Sequence, residues 1–135
     1  MGGCGVLLRR VAPGVRIVGA QSENTAAMAR SLAASAVVSI PSVPTLADGL
    51  AGDIDELALD IGRHALDAMH TVSERAIADA IAFLAREEQL TVEGSGAVGV
   101  AAVLEGLAAD WPDPVAIVVS GGNIDRDRLD AIVAG

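Results

Sequence analysis

Lysine is missing altogether. The nine basic residues of this 135-residue chain are all arginines, at positions 9, 10, 16, 30, 63, 75, 86, 126 and 128. Chemistry that needs a side-chain primary amine, as covalent anchor or as base, must take it from elsewhere. Aromatic residues are almost as scarce: Phe83, Trp111 and no tyrosine. Base-stacking platforms need aromatics and phosphate tracking needs positive charge, whereas the formal net charge here is −9, so a nucleic-acid partner is disfavoured. Cys4 is the only cysteine, which excludes an internal disulfide and agrees with a reducing compartment. No run of eighteen apolar residues occurs, and the first residues lack the pattern of a signal peptide. The expectation is a soluble, cytoplasmic chain with no membrane partner.

What is present is aliphatic. Hydrophobic residues make up 52% of the chain, so its core must be built from Ala, Val, Leu and Ile, as in helices packed closely on a sheet. Val15–Ala20, between Pro13-Gly14 and Gln21-Ser22, reads as a strand. Ser22 to Asn24 offer caps for a helix through Met28 and Leu32, and Val37–Ile40 suits a short strand. Pro41 and Pro44 impose extended backbone before Thr45. Asp53, Asp55 and Glu56 mark the start of a helix carrying Leu57, Ile61, Ala65, Leu66 and Met69. Ser73 caps another, with Ile77, Ile81 and Leu84 on one face. Gly94–Ala108 is apolar all round, the mark of a buried helix. Val115–Val119 is a buried strand, after which Asn123 can cap a final helix with Leu129, Ile132 and Val133 inward. Strands alternating with helices predict an α/β fold: an open, mostly parallel sheet with helices on both faces.

Ligands in such sheets bind at the carboxyl ends of strands, and Ser120 lies at one. Its hydroxyl suits a hydrogen bond to a bound heterocycle, with Gly121 and Gly122 keeping the approach open; the alternative is a strand-to-helix turn. Glu93 is either a carboxylate pointing into a cleft or a charge partner for a helix N-terminus. Asp48-Gly49 either presents backbone to a ligand or makes a turn. Gly2-Gly3-Cys4-Gly5 looks like a phosphate-cradling loop before a short helical stretch, Val6 to Val11, or else consists of helix positions. His64 and His70, six residues apart on one helix, do not share a face, and no zinc spacing supports them.

Five blocks, taken together and in order, resemble the C-terminal part of the serine/threonine dehydratase family. Those are fold type II (tryptophan synthase beta-like) pyridoxal-phosphate enzymes related to serine racemase. The blocks are Pro13–Gln21, Pro44–Leu50, Thr71–Glu74, Val92–Val98 and Val118–Asp125. The resemblance implies a pyridoxal phosphate cofactor, with Ser120 on its pyridine nitrogen, Gly49 beside its ring, and Glu93 and Gly121 at the pocket. It implies conversion of serine or threonine to a 2-oxo acid and ammonia. It also implies a Schiff-base lysine, which this chain lacks. A gap-free count back from Pro13 puts the family's phosphate loop before Met1, so Gly2, Gly3 and Gly5 are not assigned to phosphate. The racemase-type metal positions fall on Gln21, Thr25 and Ala27, which lack the carboxylates hard cations prefer, so no metal site is expected. Residues 1–135 then form a single C-terminal portion of such an enzyme, inactive alone and suited to an N-terminal half or a homo-oligomer as partner. The rival expectation is a non-catalytic α/β module that binds a partner chain or a small anionic ligand.

Overall fold

The computed structural model describes residues 2–135. Helix α1 spans Gly2–Val11, so its glycines are helix positions and not a loop. Gly5 is buried there because a Cβ would stand 2.7 Å from Ala65 Cβ, and only a bare Cα lets the two helices approach. Strand β1 is Val18–Ser22, helix α2 Ala27–Ala34, helix α3 Glu56–Ala65 and strand β2 Ala68–Val72. Helices α4 (Glu74–Arg86), α5 (Gly94–Leu104) and α6 (Arg126–Ala134) follow.

β1 and β2 pair in parallel, Val18 opposite Ala68 and Ser22 opposite Val72. Asp67 sets that register. Its N–H donates to Ile17 O at 2.8 Å, and its Oδ2 accepts from Ile17 N–H at 2.7 Å and from Arg9 Nη2 at 2.8 Å. Ala20 and Val72 face a core built with Ile77, Ile81 and Leu84 of α4 and Ala97 and Ala101 of α5. The opposite face carries α2, on which α3 packs, with Met28 Sδ against Gly62. The expected α/β architecture, a parallel sheet sandwiched by helices, is what is seen.

Several local expectations need correction. Met69 and His70 lie on β2, not on the preceding helix, so the two histidines occupy different elements. The buried face of α3 is Leu59, Gly62 and Ala65, while Leu57 is exposed. Val37–Ile40 forms no strand, because side chains take its backbone donors: Val38 N–H goes to Ser31 Oγ at 2.9 Å and Ile40 N–H to Asp53 Oδ1 at 3.1 Å. Helix α5 stops at Leu104, short of Ala108. Gly106 adopts φ +81°, and the bonds Leu107 N–H to Ala102 O and Gly106 N–H to Val103 O close a Schellman cap. Asp125, not Asn123, caps α6 by accepting from Arg128 N–H at 3.1 Å.

The largest departure is Val115–Val119. No strand is assigned there, and its backbone groups pair with no other main chain among the described residues. Val118 is 79% exposed. The run is β-prone but has no neighbouring strand to complete a ladder, whereas Val119 still packs on the core.

Candidate functional site

The residues singled out from the sequence converge on the first turn of α5. Glu93 precedes that helix, and its carbonyl accepts from Gly96 N–H at 3.0 Å and Ala97 N–H at 3.1 Å. Its side chain makes no cap. It turns instead to the Ser120–Asn123 segment, where Oε2 accepts from Asn123 N–H at 3.2 Å. Glu93 N–H donates to Gly121 O at 3.0 Å. One residue therefore grips the segment on both sides of Gly122. Gly121 has φ +77°, which disfavours any side chain, and a Cβ there would fall 2.5 Å from Glu93 Oε1. Glu93 is thus a holder of this turn as well as a carboxylate at the cleft.

Ser120 ends the unpaired run and is exposed, with no hydrogen bond to its hydroxyl among the described residues. Its carbonyl lies directly against Gly96, where a Cβ would overlap that oxygen and stand 2.7 Å from the carbonyl carbon. Gly94 receives the second loop in the same way: a Cβ there would overlap Leu46 O and come 3.1 Å from Ala47 N. Gly49 lies in a 3-10 turn, Asp48–Leu50, against Ser95 and Glu93. A Gly49 Cβ would sit 2.8 Å from Ser95 Oγ and 3.7 Å from Glu93 Oε1. Ser95 Oγ is buried without a hydrogen-bond partner among the described residues. Ser120, Gly121, Gly49 and Glu93 therefore border one locality, and a cavity of about 200 Å³ beside it is lined by Leu46, Asp48, Glu93, Asn123 and Arg128.

Sequence reasoning misses four participants. Gly94 and Gly96 carry a legible signal, a Gly-x-Gly at a helix start, which lets two loops touch the helix backbone. Ser95 lies between them and shows no signal of its own. Glu74 reads in the sequence only as a first-turn charge, yet its carboxylate gathers several donors, two of them from the loop that bears Gly49. Two other expected residues have structural employment. Gln21 is buried and caps α2, its Nε2 donating to Thr25 O at 2.8 Å and its Oε1 accepting from Ala29 N–H at 2.9 Å. His70 stacks on Trp111 with ring centroids 6.2 Å apart. No helix among the described residues is long and apolar enough to cross a membrane.

A family model described as "Pyridoxal-phosphate dependent enzyme" matches residues 1–121. The chain is 42% identical to the L-threonine ammonia-lyase of Thermotoga maritima, over 97% of this chain and 33% of that protein. A T.th. threonine deaminase crystal structure superposes with a TM-score of 0.85 at 32% identity, covering 92% of this chain and 46% of the other. Maize serine racemase superposes with a TM-score of 0.88 at 31% identity, covering 96% and 41%. The chain thus spans between one third and one half of the length of these proteins.

Proposed function

Since the chain belongs to the pyridoxal-phosphate dependent enzyme family, we propose that it is the C-terminal portion of a serine/threonine dehydratase. In this reading it supplies the ring-nitrogen wall of the pocket, and the tethering amine comes from a complementary segment. The observation that carries it is the convergence of Ser120, Gly121, Gly49 and Glu93 on the start of α5.

The residues present fit one side of the cofactor. Gly49 and Gly121 let Ser95 and Glu93 close onto bare backbone, and the uncommitted Ser120 hydroxyl and the Ser95 Oγ, partnerless among the described residues, offer polar edges. They do not fit its other needs, for no lysine is present to tether it, and Gly2, Gly3 and Gly5 are used inside α1. When bound, pyridoxal phosphate supplies an electron sink for bond breaking at the amino-acid α-carbon. Ser120 would donate to the ring nitrogen. A neutral hydroxyl keeps its own proton and does not hold that nitrogen protonated, which suits loss of a β-hydroxyl better than deeper charge storage. Glu93 would fix the position of Ser120 through Gly121 and Asn123, and Gly49 would lie along the ring.

The test is reconstitution. The chain is mixed with pyridoxal phosphate, alone and together with the lysine-bearing portion of the Thermotoga maritima enzyme that it does not match. Ammonia and 2-oxo acid should form from threonine or serine only in the complete mixture, and Ser120→Ala should weaken cofactor retention there. Turnover by the chain alone would refute the assignment. The missing lysine favours a second reading, a non-catalytic module for a partner chain or small anionic ligand; binding of the complement without turnover would support it.

A further inference from the structure

Glu74 opens α4, and its carboxylate joins that helix to two other chain segments. Oε1 accepts from Thr45 Oγ1 at 2.7 Å and from Ser22 Oγ; Oε2 accepts from Leu46 N–H at 2.6 Å. Each hydroxyl is itself held from behind. Asn24 N–H donates to Ser22 Oγ at 2.9 Å, and Ala47 N–H donates to Thr45 Oγ1 at 2.9 Å. Both hydroxyl protons are thereby committed to Glu74. Asn24 Nδ2 also donates to Pro44 O at 2.8 Å, adding a second tie between the β1 end and the loop.

This network has a direction. Ser22 is the last residue of β1 and is fully buried, whereas Thr45 and Leu46 enter the loop that continues to Gly49. Prolines at 41 and 44 deprive that loop of helix and ladder bonding, so side-chain acceptors decide where it runs. Leu46 O then rests on Gly94, and Gly49 on Ser95. A shift at Leu46 would pass directly to the ring-facing backbone. A carboxylate suits this task because it accepts at both oxygens and offers no donor to repel three incoming N–H and O–H groups.

We propose that Glu74 is a positioning residue for the cofactor wall: it locks the Thr45–Leu50 loop to the end of β1 and so sets where Gly49 stands. The relevance to cofactor rests on the function proposed above; the locking itself does not. Amide hydrogen exchange on the whole chain without cofactor separates the two. Glu74→Ala should raise exchange at Leu46 and Ala47 roughly tenfold or more relative to Ala101 and Ala102 in α5, because bonds to a charged acceptor are lost locally. Glu74→Gln should fall between, since its amide keeps one acceptor for Leu46 but turns a donor toward the hydroxyls. Thr45→Val removes one donor, leaves the carboxylate in place, and should loosen Ala47 even if the alanine variant does not fold. An unchanged loop in a folded Glu74→Ala chain, or a uniform rise across α5 as well, overturns the proposal. In the reconstituted mixture, Glu74→Gln should weaken cofactor retention while Glu74→Asp partly restores it. A loosened loop with unaltered retention would leave the locking intact and count against the pocket assignment.

Discussion

Replacing Gly96 by alanine isolates the packing on which Ser120 depends. In an ordinary helix interior the change would gain about 1 kcal/mol, since glycine is the poorer helix former. Here the new Cβ would overlap Ser120 O, lie 2.7 Å from its carbonyl carbon and 3.0 Å from Val92 Cγ1. Two of these neighbours are main-chain atoms, which cannot rotate away. Relief therefore demands that the helix or the Ser120 segment move by about 1 Å or more, and such overpacking costs about 1–3 kcal/mol, often more against backbone. Residues 115–119 have no ladder bonds among the described residues to hold them, so that side should yield. The expected outcome is a chain that still folds, with a net loss of up to about 2 kcal/mol and a Tm lowered by up to about 10 °C. The amide shifts of Ser120 to Asn123 should change, and the bond from Glu93 N–H to Gly121 O should weaken. Thermal unfolding followed by circular dichroism, with amide spectra of the same sample, reads both effects. An equal or higher Tm with unmoved Ser120–Asn123 resonances would refute the reasoning.

Asp67 gives the pH prediction. The Ile17 N–H and then the Arg9 guanidinium hold its carboxyl below the ordinary aspartate value of 3.8, so its stabilising contribution is complete above that value and is lost as pH falls through the lowered one. Asp67→Asn should therefore shrink the acid-side loss of stability, measured by urea unfolding between pH 6 and about pH 2; an unaltered acid limb would refute it. Gln21→Ala should cost about 1–2 kcal/mol, because α2 loses the acceptor for Ala29 N–H and Ala26 supplies no side-chain cap. A loss below about 0.5 kcal/mol, read from the denaturant midpoint, would contradict this. Val118→Lys should reduce self-association of the isolated chain with little effect on its Tm, as the residue is 79% exposed on an unpaired extended run. Sedimentation at several concentrations measures this, and unaltered association would oppose it.

What can be read in advance follows the range of the forces involved. α4 is legible because Ser73, Ile77, Ile81 and Leu84 announce a cap and a face within a few turns. The burial of α5 follows from its composition, but its end depends on Gly106, whose left-handed turn competes with an equally apolar continuation. β2 escapes notice because Ala68–Val72 adjoins α3 with apolar residues at spacings that also suit a helix, and its strand identity comes from pairing with β1. Val115–Val119 fails in the opposite sense: its side chains ask for a sheet that the described residues do not provide. At the site, strand-end, turn and charge chemistry single out Ser120, Gly121, Glu93 and Gly49 beside blander alternatives, the resemblance implies their roles, and the structure brings them together. The grip of Glu93 on Asn123, and of Glu74 on Leu46, spans 30 and 28 residues and leaves no local trace.

The pairing of Ile17 with Asp67 bridges 50 positions along the chain. Bringing such ends together carries an entropic toll of about 3–4 kcal/mol before any ladder bond forms. Helices α2 and α3 lie between, and their condensation would shorten the search. The two-stranded seam is therefore expected to form late, after those intervening helices have met, an order that pulse-labelling hydrogen exchange during refolding would check.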